Sequence, residues 1–153
     1  PRPLERSISM IAKSEAIKNG YDEALMLDPE GYMTEGTGEN LFIIKDGVIK
    51  TTQLTSILNG ITRNTVLQML VKKGYKVVET RFTRDELYCC DEAFLTGTAA
   101  EITPISTVDG RKMGRGEGAG KPGPITMIVQ KEYQRLIRGE LAGEFPAEWL
   151  SKI

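Results

Sequence analysis

The stretch GYMTEGTGENLFIIKDGVIKTT, Gly31 to Thr52, decides how the chain is read. Within it, "NLFIIK" and "VIKTT" are apolar, β-branched runs on either side of Asp46-Gly47. A two-residue Asp-Gly between such runs is a strong hairpin signal, because both central turn positions need positive φ. Just upstream, "ALML" and "YMTE" flank Asp28-Pro29-Glu30-Gly31, where proline presets one turn angle and glycine accepts another. Two hairpins in succession predict an antiparallel sheet. Between them a lone carboxylate, Glu35, stands against Gly36, Thr37 and Gly38. Small residues let a ligand approach the backbone closely, so Glu35 is the first candidate site residue. Its plain alternative is a solvated glutamate at a strand end.

Helical periodicity brackets the sheet. Ile8, Ile11, Ala12 and Ala16 share a face and Asn19-Gly20 supplies a stop, which predicts a helix over residues 8–19. From Thr62, the positions Val66, Met69, Leu70 and Lys73 line a second helix that ends at Gly74. "YKVVETR" reads as a strand, and Thr83-Arg84-Asp85-Glu86 has capping-box spacing for a short helix. "EAFLTG" reads as a buried strand ending in a Gly-Thr-Ala-Ala loop, and "EITPISTV" as one further strand before Asp109-Gly110. Residues 110–123 hold six glycines without a period, which predicts a mobile surface loop. Pro124 suits the first position of a last helix with Ile125, Ile128, Val129, Leu136 and Ile137 on its core face. Phe145, Trp149 and Leu150 are expected to dock on the body. The fold class is α+β, with strands wrapped by helices around one core.

Composition narrows the function classes. The chain has 153 residues, with Lys+Arg 20 against Asp+Glu 21 and a net charge of −1. Without a basic stripe, neither nucleic acid nor an anionic membrane is the expected partner. The apolar runs fall far short of a membrane span, and no signal-peptide pattern opens the chain. Neighbouring Cys89 and Cys90 cannot build a disulfide framework, so a reduced, cytoplasmic setting is expected. There is no histidine. That removes Ser-His-Asp and Cys-His nucleophilic sites and most zinc sites, and no metal is expected. Chemistry is left to carboxylates, lysine, tyrosine, backbone amides or a bound cofactor.

Three segments could hold an anion: the Glu35 loop, "LNGITRN" (Leu58 to Asn64), and "LTGTAAEIT" (Leu95 to Thr103). In the second, a glycine leads into a helix whose first N–H groups are free and whose dipole end is positive. In the third, a strand stops at Gly97 and Thr98 offers a hydroxyl and an amide. Taken singly, each is also ordinary punctuation between elements.

Taken in order, "AKSEAIKNGYDEALMLDPEGYMTEGTGENLFIIKDGVI", "LNGITRNTVLQML", "TRDELYCCDEAFLTGTAAEITPISTVDGR" and "GPIT" resemble the branched-chain amino-acid aminotransferases, class IV pyridoxal-phosphate (PLP) enzymes. The resemblance runs from about Ser7 through the final helix. It implies the large, PLP-binding domain of fold-type IV over residues 7–153, a pseudo-barrel of antiparallel and mixed strands, with residues 1–6 unmatched. It implies that Glu35 contacts the pyridine nitrogen and that Ile61, Thr62 and Thr98 hold the phosphate. Thr98 and Ala99 would face the substrate carboxylate. The implied reaction is transamination of branched-chain amino acids with 2-oxoglutarate, in a homodimer or in association with a missing N-terminal domain. D-amino-acid transaminases and aminodeoxychorismate lyases share much of this wording.

One element of the pattern is absent. The family's Schiff-base lysine falls about thirteen residues before "SEA", and counting back from Ser14 reaches Pro1 or Arg2, neither of which can serve. Lys13 is a tempting substitute, but the family carries a lysine there that is not the Schiff-base residue. The catalytic residue is therefore unassigned. The implied states are a truncated piece of a longer enzyme, or a non-catalytic module that binds PLP or another phosphorylated ligand. A half-enzyme would also expose the face that met its lost domain and tend to self-associate.

Overall fold

The computed structural model describes residues 3–55, 57–141 and 143–145. In chain order the elements are α1 (Pro3–Lys18), β1 (Leu25–Leu27), β2 (Met33–Gly36), β3 (Asn40–Lys45), β4 (Val48–Thr51), α2 (Ile61–Lys72) and β5 (Lys76–Glu79). They continue with α3 (Arg84–Tyr88), β6 (Glu92–Gly97), β7 (Glu101–Pro104), β8 (Thr107–Val108), β9 (Arg111–Lys112) and α4 (Pro124–Ile137).

The centre of the sheet is β3, which pairs antiparallel with β4 on one side and β6 on the other, and meets β2 at Asn40. Its apolar run is continuous because both faces are covered. Leu41 and Ile43 join Ala93 and Leu95 of β6 in one core, with Met33, Phe82, Leu87, Cys90 and Met113. Phe42 and Ile44 join Phe94 in the other, under Val66, Met69 and Leu70 of α2 and Val129 of α4. Phe42 and Phe94 stack with ring centroids 4.8 Å apart, and burying each ring is worth roughly 2–3 kcal/mol.

The predicted turns form for the reasons given. Asp46 and Gly47 take φ of 48° and 75°, as the tight turn between β3 and β4 requires. Asp28 Oδ1 accepts from the amides of Glu30 and Tyr32, closing the turn between β1 and β2. Thr83 and Glu86 complete the capping box of α3. The mixed character of the sheet comes from β5, which returns parallel to β4 after the α2 crossover.

Several expectations are corrected. The first helix begins at Pro3 rather than residue 8, and of its predicted face Ala16 is buried while Ile8 and Ile11 are exposed. Lys73 does not join the core face of α2; it pairs with Glu132 at 3.0 Å. "EITPISTV" is not one strand: β7 stops at Pro104, and β8 pairs with β9 in a separate ribbon. The glycine-rich stretch 110–123 does lie on the surface, but it carries β9 and a 3-10 turn (Gly116–Gly118), and its Met113 is buried in the first core. On α4, Thr126, Val129 and Leu136 are buried, whereas Ile128 and Ile137 are exposed. Phe145 packs on the second core; Trp149 and Leu150 lie outside the described residues. No helix among the described residues is long and apolar enough to cross a membrane.

Candidate functional site

Glu35 on β2 lies opposite Asn40 on β3. Its Oε2 accepts from Asn40 Nδ2 at 3.1 Å and from the Leu58 amide at 3.0 Å. Asn40 is buried, and its Nδ2 also donates to the Leu58 carbonyl at 2.8 Å. The acid is thus tied directly to the segment that leads into α2. Gly60 sits against the same asparagine: a Cβ there would meet Asn40 Oδ1 at 2.3 Å. Its φ of −72° suits any residue, so the close approach requires the glycine and the backbone angle does not.

α2 opens with no side-chain cap on its N-terminus and no acidic residue in its first turn. Its leading amides keep their positive dipole end without an internal counter-charge. Ile61 is exposed at that end and Thr62 is buried. A second clamp fixes the turn. Arg63 is buried, and its Nη2 donates to the Thr52 carbonyl at 2.8 Å and to Glu79 Oε2 at 2.6 Å. The Thr52 hydroxyl in turn donates to the carbonyl of Thr34, next to Glu35, at 2.8 Å.

The third segment meets the other two at the end of β6. Thr96 pairs in register with Asn40. A Cβ on Gly97 would lie 3.1 Å from Glu39 Cγ and 3.4 Å from the Gly38 carbonyl. Thr98 and Ala99 follow immediately in an exposed turn. The Thr103 hydroxyl holds that turn by donating to the Ala100 carbonyl at 2.9 Å. Glu101 closes it at φ 52°, a left-handed angle uncommon for glutamate, and Gln134 of α4 bonds its carboxylate. The bases of all three segments therefore converge on Asn40.

Beside this site, Lys13 Nζ donates to Glu23 Oε2 at 2.7 Å and to the Asp22 carbonyl at 2.6 Å. Lys13 is thereby committed to an ion pair. Burial works to raise the Glu23 pKa, but hydrogen bonds from Lys13, Thr37 and the Ala24 amide bring it below its ordinary value. Glu39 is pushed the other way, first by burial and then by the charge of Glu23.

The arrangement fits a flat, phosphorylated ligand with a basic ring nitrogen. An uncapped helix end would suit the phosphate, and the Glu35 carboxylate, held by Asn40 and the Leu58 amide, would suit the nitrogen. Leu58 and Ile61 expose apolar side chains alongside. Among the described residues, the buried side-chain atoms without a hydrogen-bond partner are Glu39 Oε2, Thr96 Oγ1 and Arg63 Nε. Thr96 and Glu39 adjoin Asn40, by register and by sequence, and Arg63 stands in the first turn of α2. Unsatisfied buried polar atoms are rare in folded proteins. Sequence reasoning passed over Asn40 and Arg63. The available signals were a polar residue opening an apolar strand and an arginine within a helix's first turn.

A family model described as amino-transferase class IV matches residues 4–108. The branched-chain-amino-acid aminotransferase of Pseudomonas aeruginosa is 60% identical over 141 residues, covering 92% of this chain and 44% of that protein. The Escherichia coli enzyme of the same name is 42% identical over 146 residues, covering 95% and 45%. Among solved structures, the branched-chain amino acid aminotransferase of Thermobaculum terrenum in its PLP-bound holo-form superimposes with a TM-score of 0.83 at 41% identity. That match covers 95% of this chain and 45% of that one. The chain spans about half the length of these relatives.

Proposed function

Because the chain belongs to the amino-transferase class IV family, we propose that it is the cofactor-binding part of a PLP-dependent enzyme that transaminates branched-chain amino acids with 2-oxoglutarate. The observation that carries this reading is the hydrogen bond from the Leu58 amide to Glu35 Oε2. It joins a carboxylate to an uncapped helix N-terminus in one rigid unit. A phosphate receptor and an acid for a ring nitrogen are both needed by this cofactor, and they need a fixed separation.

When bound, PLP supplies the electron sink for breaking a bond at the amino acid's α-carbon. Glu35 holds a proton at the ring nitrogen, which keeps that sink cationic. The amides of Ile61 and Thr62, with the Thr98 hydroxyl, receive the phosphate. The Thr98 and Ala99 amides orient the substrate carboxylate. Lys13 is committed to Glu23 and does not serve as the cofactor's covalent anchor. That lysine comes from elsewhere in the intact protein, which works in the cytoplasm. Ile8, Met10, Ile11 and Ile17, exposed along α1, form the surface against which the remainder of the protein or a second copy packs.

Calorimetric titration of the intact protein with pyridoxamine 5'-phosphate tests the assignment. Thr98→Ala, which removes the phosphate-facing hydroxyl, should weaken binding about tenfold, the equivalent of one charge-assisted hydrogen bond worth about 1.4 kcal/mol. Unphosphorylated pyridoxamine should bind wild type and variant alike. Equal affinity for the phosphorylated ligand in both proteins would sink the phosphate assignment. Binding without transfer of an amino group from leucine to 2-oxoglutarate would favour the non-catalytic module instead.

A further inference from the structure

We propose that Asn40 is a positioning residue that acts through Glu35, setting both the orientation of its carboxylate and its distance from the phosphate-receiving end of α2. The inference rests on Glu35 being the acid at the ring nitrogen.

One amide group makes both connections. Asn40 Nδ2 donates to Glu35 Oε2 at 3.1 Å and to the Leu58 carbonyl at 2.8 Å. The Leu58 amide closes the triangle by donating to the same Glu35 oxygen at 3.0 Å. Two donors on one carboxylate oxygen, coming from different elements, hold its position more tightly than either does alone. Asn40 is 4% exposed, which shields the Asn40 end of its two bonds from water.

The other end of the side chain lies against the backbone of the turn into α2. Gly60 leaves room for Asn40 Oδ1 where a Cβ would approach to 2.3 Å. Aspartate at position 40 would supply no donor for Glu35 or for the Leu58 carbonyl. Serine or alanine would not span the gap. The asparagine thus sets a length as well as a charge pattern. An acid displaced by about 1 Å from a ligand atom loses much of its effect on that atom, while the helix end continues to receive the phosphate.

The test is a double-mutant cycle in the intact protein, read with pyridoxamine 5'-phosphate carrying nitrogen-15 in its ring. Two quantities are measured: the dissociation constant and the nitrogen chemical shift, which reports protonation at that atom. In wild type the ring nitrogen should be protonated, and Glu35→Gln should move its signal toward the neutral position. Asn40→Ala should move it in the same direction and weaken binding about tenfold. In the Glu35→Gln background, the same Asn40 change should alter affinity less than about twofold, because its effect travels through the missing acid. Asn40→Ser repeats the measurement if the alanine variant folds poorly.

Equal losses in both backgrounds, or an unmoved ring signal in Asn40→Ala, would overturn the proposal and leave Glu35's role intact. An unmoved signal in Glu35→Gln would instead overturn the assignment of Glu35, and this inference with it.

Discussion

Two helices begin in nearly the same words, Gly60-Ile61-Thr62 for α2 and Gly123-Pro124-Ile125-Thr126 for α4, and they end their orphan amides differently. At α4 the buried Glu92 does the work. Its Oε1 accepts from the Ile125 amide at 3.1 Å, and its Oε2 accepts from the Thr126 amide and hydroxyl, each at 2.8 Å. A carboxylate on the positive end of a helix is the expected way to satisfy those groups within the fold. At α2 there is no such cap, and the Glu35 carboxylate accepts instead from Leu58 in the approach to the helix. The fold spends one acid on closing α4 and aims the other beside α2. Both glycines are there to let these side chains in: a Cβ on Gly123 would meet Glu92 Cδ at 2.0 Å, as one on Gly60 would meet Asn40 Oδ1 at 2.3 Å.

If that contrast is right, the two ends respond differently to mutation. The largest expected effect is at α4, where Glu92→Ala strands three donors in a buried setting. It should cost about 3 kcal/mol of stability by urea denaturation, with little change in affinity for pyridoxamine 5'-phosphate in the folded fraction. A loss below about 0.5 kcal/mol would mean that the Glu92 cap is not structural.

Next is Gly60→Ala, which drives a methyl group into the held Asn40 side chain. A cost of about 1–2 kcal/mol is expected, and most of it should vanish in the Asn40→Ala background, where the obstructing oxygen is gone. An undiminished penalty there would locate the clash elsewhere.

A smaller effect concerns pH. Asp91 accepts from the Asp46 amide and from Lys45, at 2.8 and 3.3 Å, and these contacts hold its pKa below the ordinary 3.8. A carboxyl depressed on folding adds stability above its unfolded pKa, and that stability is lost as pH falls through the folded value. Stability should therefore drop below about pH 4, and Asp91→Asn should remove part of that slope, less than about 1 kcal/mol because the side chain is partly exposed. Identical acid profiles for the two proteins would contradict this.

The smallest effect is a reporter. Cys89 is exposed, while Cys90 is buried with its thiol pushed up to about 12 by burial and by the neighbouring Asp91 charge. One thiol per folded chain should react at neutral pH, and Glu92→Ala should hasten the second. Rapid labelling of both in wild type would contradict the burial of Cys90.

The sheet was legible in the sequence wherever a local rule governs it. Asp46-Gly47, Asp28 to Gly31 and the Thr83 capping box formed as read, because each is settled by backbone angles and a neighbouring side chain. What failed depended on distant packing. Ile8, Ile11, Ile128 and Ile137 have the spacing of core residues, yet periodicity does not say which apolar stripe the sheet covers. Met113 anchors a glycine-rich stretch that has no local signal of order. At the site, glycine before a helix and a glutamate beside small residues were visible one at a time. Their convergence on Asn40 was not, because it depends on β2, β3, β6 and α2 meeting. The contrast between α2 and α4 was equally hidden, since Glu92 lies more than thirty residues before the helix it caps.

The most direct measurement of that contrast is an amide-resolved titration of the nitrogen-15-labelled intact protein with pyridoxamine 5'-phosphate. The amides of Ile61 and Thr62 should shift on binding, while those of Ile125 and Thr126, already occupied by Glu92, stay in place. Shifts at Ile125 and Thr126, or saturation of binding with Ile61 and Thr62 unmoved, would contradict the account.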